Sequence, residues 1–257
     1  MSAAAEQPEP QLAFHLRRLR LSGILDTLEV RTQQAIAEHW SYAEFLSRLV
    51  QDEAERREHK ALGLRLRRGQ VNSTKTLETF DFGFNPSINR QQLFDLATCT
   101  FIRQKRNALI CGQTGVGKTH LAQALAHEAA RQGFEVLYTT ADQLLRHLHA
   151  GRADDSTDKR VAGYLAPDLL VIDDYGLKPP PSTGAVDLYD VINGRYEKGS
   201  IALTSNRAPA EFAEVWGDAL LAQAGLDRLV HRASVLLITG PSYRLKDTRP
   251  SSGEAAA

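Results

Sequence analysis

Apolar positions along the chain fall into two regimes that meet near residue 70. From Gln11 to Arg68 the spacing is helical: Leu12, Leu16 and Leu19 share one face, and Ser22-Gly23 interrupts the run. A second helix is expected from Ile24 to about Glu38. A third is expected from Ser41, where Ser41 and Glu44 have the S-x-x-E spacing of a capping box. Continued to about Arg68, it would be roughly 40 Å long at 1.5 Å per residue. Beyond about Asn89, helical stretches alternate with short apolar runs. The pattern predicts helix over Arg90–Arg103, strand over Asn107–Cys111, helix over Lys118–Gln132, strand over Val136–Thr140 and helix from Ala141 to about His149. A fully apolar strand at Leu169–Ile172, a helix at Ala185–Glu197, and strands at Ile201–Thr204 and Val235–Thr239 complete it. Such alternation implies a mainly parallel sheet covered by helices on both faces.

Between the two regimes, residues 70–88 carry few helix signals and space Phe80, Phe82 and Phe84 two apart. They read as a linker docked in extended form on the second domain, with the aromatics packing. The expected organisation is a disordered start (1–10), a helical domain (11–69), this linker (70–88), an α/β domain (89–248) and a disordered tail (249–257).

The third helix changes character along its length. Phe45, Leu46, Leu49 and Val50 form a stripe expected to face a core. Two turns later Arg56, Arg57, Lys60, Arg67 and Arg68 cluster on the same side. One reading is a solvated, salt-bridged helix end; the other is contact with a polyanion. Seven basic residues and one acid, Glu58, lie from Arg56 to Lys75, which favours phosphate contact.

Composition changes the picture only in part. Of 257 residues, 42% are hydrophobic and 24% charged, which fits a globular chain and excludes a disordered one. No apolar run approaches the ~20 residues of a membrane helix, and no secretory signal is visible at the start, so no membrane partner is expected. Two cysteines, Cys99 and Cys111, form no zinc or disulfide pattern and favour a reducing cytoplasm. The net charge is zero, yet residues 56–75 carry a local +6, so neutrality is a cancellation that does not exclude nucleic acid.

Gly112-Gln113-Thr114-Gly115-Val116-Gly117-Lys118-Thr119 matches G-x-x-x-x-G-K-[ST], after an apolar strand and before a helix. Glycines let successive N–H groups turn toward phosphate oxygens, and the following helix adds its positive end. Lys118 is expected on the β- and γ-phosphates of ATP, and the Thr119 hydroxyl on Mg2+. His120, beside the loop, is expected to cap or pack. Leu169–Ile172 leads into Asp173 and Asp174, the first placed to hold Mg2+, the second to orient or deprotonate an attacking water. Asn206, at the next strand end, is either a turn residue or a group reaching the lytic water. Arg228 and Arg232 are either surface charges paired with acids such as Asp227 or arginines offered to a neighbouring subunit.

The linker LETFDFGFNPSINRQQLFDLA, the loop GQTGVGKTHLAQAL, LLVIDDYG, RYEKGSIALTSNR and LDRLVHRA…GPSYRLK together resemble the IstB family, over roughly residues 12–248. Its members are ATP-binding helper proteins encoded beside a transposase in bacterial insertion sequences. The resemblance implies an AAA+ ATPase related to DnaC-type helicase loaders, with sheet order 5-1-4-3-2; because little sequence follows the last expected strand, no C-terminal lid domain is expected. It implies that Asn206 is sensor 1, that Arg228 is an arginine finger, and that Arg244 is a candidate phosphate-sensing residue. The expected function is ATP-dependent self-assembly on duplex DNA without sequence reading, engagement of a cognate transposase, and reset by hydrolysis. The alternative is a DnaC-type helicase loader.

Overall fold

The computed structural model describes residues 10–178, 180 and 183–248. The tail expected over 249–257, and all but Pro10 of the start expected over 1–10, lie outside them; Pro10 opens the first helix. The chain forms two compact units, residues 1–64 and 65–257.

The first unit contains α1 (Pro10–Arg18), α2 (Ser22–Ala37) and α3 (Tyr42–Arg68) as far as Leu64. Its core is small: Leu16, Ile24 and Leu49 are buried, with Leu21, Leu25, Leu28 and Phe45 packed around them. Two expected core residues are not there, since Leu46 and Val50 are 59% and 53% exposed. With so little apolar surface to cover, α3 buries only the Phe45–Leu49 edge of its stripe. Polar contacts supplement this core. Gly23 lets α2 approach α3, where a Cβ would come within 2.8 Å of the Glu53 backbone, and its N–H donates to Glu53 Oε2 at 2.6 Å. Arg31 forks onto Asp52 at 2.7 and 2.9 Å. Ser41 caps α3 by accepting the Glu44 N–H at 3.2 Å, while the Glu44 carboxylate pairs with Arg48.

The second unit is a parallel sheet of β1 (Ala108–Gly112), β2 (Val136–Thr140), β3 (Leu169–Tyr175), β4 (Ser200–Ser205) and β5 (Ser234–Ile238). The order is β2-β3-β4-β1-β5, which read from the other edge is 5-1-4-3-2. Each central strand alternates its residues between two buried faces. Leu109, Cys111, Leu170, Ile172 and Leu203 join a core with α7 (Ala141–Gly151) and α9 (Gly184–Arg195), reaching Phe212 and Trp216. Ala108, Ile110, Leu169, Val171 and Ala202 are equally buried on the other face, where α6 (Lys118–Arg131) packs. Cys99 and Cys111 are free and buried, and desolvation pushes both thiols up to about 11, leaving them as small apolar groups.

The helix expected over residues 90–103 is two, α4 (Arg90–Ala97) and α5 (Thr100–Arg103), because Cys99 takes a left-handed φ of +57°. Helices α8 (Thr157–Leu165) and α10 (Ala219–Val230) are present without having been read from the sequence. The expected linker is a series of turns, not an extended strand. Tyr138 donates its N–H to the Gly69 carbonyl at 2.8 Å, and Asn72 donates its own to Gln123 Oε1 at 2.9 Å. Among the described residues, no helix is long and apolar enough to cross a membrane.

Candidate functional site

The carboxyl ends of β1, β3 and β4 open onto one cavity of about 450 Å3. Thr114 to His120, Asp174, Asn206 and Arg244 line it, with Phe80, Phe84 and Tyr243 on its wall. This is where a parallel sheet offers its loops to a ligand.

The loop from Gly112 to Thr119 has the backbone its glycines predict. Gly115 and Gly117 adopt φ of +86° and +100°, and a Cβ on Gly117 would come within 2.8 Å of the Phe80 ring. The cradle is thus shaped by the absence of side chains. Lys118 is buried, and its Nζ donates to the Gln113 carbonyl at 2.8 Å across the loop. Desolvation lowers the Lys118 amine below its ordinary value, while Asp174 and Asp173 pull it back. A buried ammonium with one neutral partner is well suited to a phosphate.

The two acids of β3 have different surroundings. A register shift between Ile172 and Tyr175 interrupts the pairing with β4, and Asp174 takes a left-handed φ of +55°. Asp173 is consequently buried and Asp174 exposed to the cavity. Asp173 accepts from Thr119 Oγ1 at 3.2 Å, from Thr204 Oγ1 and from the Tyr138 hydroxyl. Burial and then the Asp173 charge push the Asp174 carboxyl above the usual carboxylate range, opposed by Lys118 and Arg244. The Asp174 N–H is held by Thr204 Oγ1 at 3.0 Å. The loop, the buried ammonium and the adjacent Thr119 and Asp173 oxygens together fit a nucleotide with a hard divalent cation.

The structure therefore brings Thr114–His120, Asp173, Asp174, Asn206 and Arg244 together. His120 packs edge-on against Phe80, and its Nε2 lies 2.9 Å from the Thr76 carbonyl, to which it donates. Arg228 is elsewhere. It lines a separate hollow at the opposite, amino-terminal ends of β1 and β4, with Arg106, Asn107, Gly199 and Arg232. Its guanidinium donates to the Ala224 carbonyl at 2.7 Å and lies over the Tyr189 and Tyr196 rings; among the described residues it has no ion pair.

The five basic residues of α3 divide into two groups. Arg56 pairs with Asp26 at 3.3 Å and Arg57 with Glu53 at 2.6 Å. Lys60, Arg67 and Arg68 are exposed and make no ion pair among the described residues. His147 and His149 bond Tyr164 and Thr183 respectively, as ordinary polar side chains.

Sequence reasoning missed Tyr138 and Thr204 as partners of Asp173. Thr204 carried a signal, a hydroxyl two residues before Asn206 on the strand beside the acids. Tyr138 carried none, because only the β2–β3 pairing brings it there. Phe84 packs edge-on against Tyr243 and Phe82 packs on Phe80 and Phe94, so the linker aromatics are packing residues, of which Phe80 and Phe84 also wall the cavity.

The model of the IstB-like ATP-binding protein family matches residues 14–251. An insertion-sequence protein of Mycobacterium tuberculosis, named for ATP binding, is 39% identical over 92% of this chain and 94% of its own. AMPPCP-bound DnaA from Aquifex aeolicus superposes with a TM-score of 0.54 at 25% identity, over 69% of this chain and 54% of that one. The DnaC helicase loader gives 0.52 at 20% identity, over 65% of this chain and 97% of that one, a likeness of fold. This chain thus spans about half the length of the DnaA chain and nearly all of the loader. A P-loop on this AAA+ sheet, matched across nearly the whole sequence, makes the chain a member of the IstB-like family of insertion-sequence ATP-binding proteins.

Proposed function

We propose that this protein is an ATPase that assembles with ATP on duplex DNA in the cytoplasm, engages the transposase of its own insertion sequence, and is reset by hydrolysis. The observation that supports the reading most is the separation of Arg228 from its own nucleotide cavity. A finger at the far end of the sheet can complete only a neighbour's site.

In this reading Lys118 leaves the Gln113 carbonyl for the β- and γ-phosphates, and loop N–H groups hold the remaining oxygens. Thr119 and Asp173 would hold Mg2+, which when bound neutralises phosphate charge. Asp174 orients the attacking water, assisted by Asn206, and Arg228 from a neighbour stabilises charge developing on the γ-phosphate. Lys60, Arg67 and Arg68 supply free cations for DNA phosphates, joined by Arg56 and Arg57 if these exchange carboxylates for phosphate. Such contacts carry no sequence information.

Fluorescence anisotropy with a labelled duplex of arbitrary sequence tests this, with ATP, ADP or no nucleotide. ATP should tighten binding, and added salt should weaken it steeply. Equal binding in all three states would overturn the nucleotide dependence. Capture of a replicative helicase without duplex binding would favour the loader reading instead.

A further inference from the structure

Asp173 is 1% exposed, and both its oxygens are occupied by hydroxyl donors from three elements. Thr119 opens α6, Thr204 belongs to β4 and Tyr138 to β2, the strands on either side of β3. The first two donors already have other tasks. Thr119 is itself a candidate ligand, and Thr204 also accepts the Asp174 N–H. Among the described residues Tyr138 alone donates to Oδ2.

The direction of the Tyr138 bond is set from behind. Gln123 is buried, and its Oε1 accepts the Asn72 N–H at 2.9 Å. With Oε1 committed to that bond, the amide nitrogen is the polar atom of Gln123 left to interact with the Tyr138 phenol. The phenol has one proton to give, and it gives it to Asp173 Oδ2, since a carboxylate oxygen can only accept. The backbone of Tyr138 is pinned as well, through its N–H to the Gly69 carbonyl.

We propose that Tyr138 is a positioning residue for the Asp173 carboxylate, fixing the orientation in which that carboxylate receives a divalent cation beside ATP, with Gln123 and Asn72 fixing Tyr138 in turn. The proposal rests on the reading of Asp173 as the cation-holding acid. A carboxylate held by one hydroxyl fewer would turn within its buried site, which costs metal affinity, not phosphate affinity.

Tyr138→Phe keeps the ring and deletes only the donor. Mn2+ binding to the ATP-loaded protein freed of excess nucleotide, followed by the loss of the free-ion electron paramagnetic resonance signal beyond that caused by the same concentration of ATP alone, should weaken by about tenfold or more. ATP binding in EDTA should be unchanged. Mn2+ affinity within twofold of the parent, while Asp173→Asn abolishes it, would show that Tyr138 only packs and would overturn the proposal. An equal loss of metal-free ATP binding would overturn it too, since the damage would then be general. If Asp173→Asn itself retains Mn2+, the metal-site reading falls first and the proposal with it.

Discussion

Replacing Lys118 with methionine keeps a long flexible side chain and removes the charge, and the structure gives two effects of opposite sign. Among the described residues the buried ammonium has only the Gln113 carbonyl as hydrogen-bond partner. A charge-assisted hydrogen bond contributes about 1.5–3 kcal/mol, and an ion pair at 4 Å about 4 kcal/mol at an effective dielectric of about 20. These overlap for one contact, so about 3–4 kcal/mol of ATP binding should disappear, roughly 100- to 1,000-fold in affinity. Nucleotide-free stability should move the other way. Desolvation lowers the folded-state value of Lys118, so the unfolded chain holds this proton more tightly. The group therefore costs stability at neutral pH, and that cost fades as pH rises through the folded value toward the ordinary lysine value. Lys118→Met removes the cost at every pH. Calorimetric titration with ATP and melting of nucleotide-free protein from pH 7 to 10 measure both effects. The variant should melt at or above the parent at pH 7, with the gap closing at alkaline pH. A variant that binds ATP within tenfold of the parent, or that melts lower without nucleotide, would refute the assignment of this lysine.

Four further sets of variants probe the acids, the finger and the basic helix. Asp174→Asn should retain ATP binding but hydrolyse about 100-fold more slowly or worse. In the parent, the acid limb of the hydrolysis profile should lie above the ordinary aspartate range, because Asp174 is shifted upward by burial and by Asp173. Arg228→Ala should keep its ATP affinity and lose about 1,000-fold in hydrolysis. Mixing it with Lys118→Met subunits should restore turnover, since each variant supplies what the other lacks, and failure to restore it would count against action in trans. Replacing Lys60, Arg67 and Arg68 by alanine should weaken duplex binding and reduce the salt slope by about three. Arg57→Ala should instead lower the melting temperature, because it removes the ion-pair partner of the buried Glu53 carboxylate.

The phosphate loop was legible because its chemistry is written in the backbone: glycines at fixed spacing, then a lysine and a hydroxyl. Apolar strands ending in Asp173-Asp174 and Thr204-Ser205-Asn206 were legible for the same reason, since a buried parallel strand can be polar only at its end. The different burial of the two acids, Asp173 enclosed and Asp174 facing the cavity, was not. It depends on the register shift at Ile172–Tyr175, a property of pairing between strands. Tyr138 was invisible because it lies 35 residues from Asp173 and meets it only across the sheet. The break at Cys99 was hidden because a left-handed cysteine carries none of the usual glycine or asparagine signal. Leu46 and Val50 have the right period for a core, but period alone does not say how wide a face the neighbouring helices can cover. The Arg57–Glu53 pair was visible as an i,i+4 spacing, while the Arg56–Asp26 pair required the α2–α3 packing.

If ATP converts this chain into a DNA-bound assembly, nucleotide state must set the size of the protein–DNA species. Sedimentation velocity of the protein with a short duplex tests it directly, in the presence of AMPPCP, ADP or no nucleotide. A large protein–DNA species should form with AMPPCP and be absent with ADP, without nucleotide, and in Lys118→Met with AMPPCP. The same sedimentation profile in all three nucleotide states would contradict it.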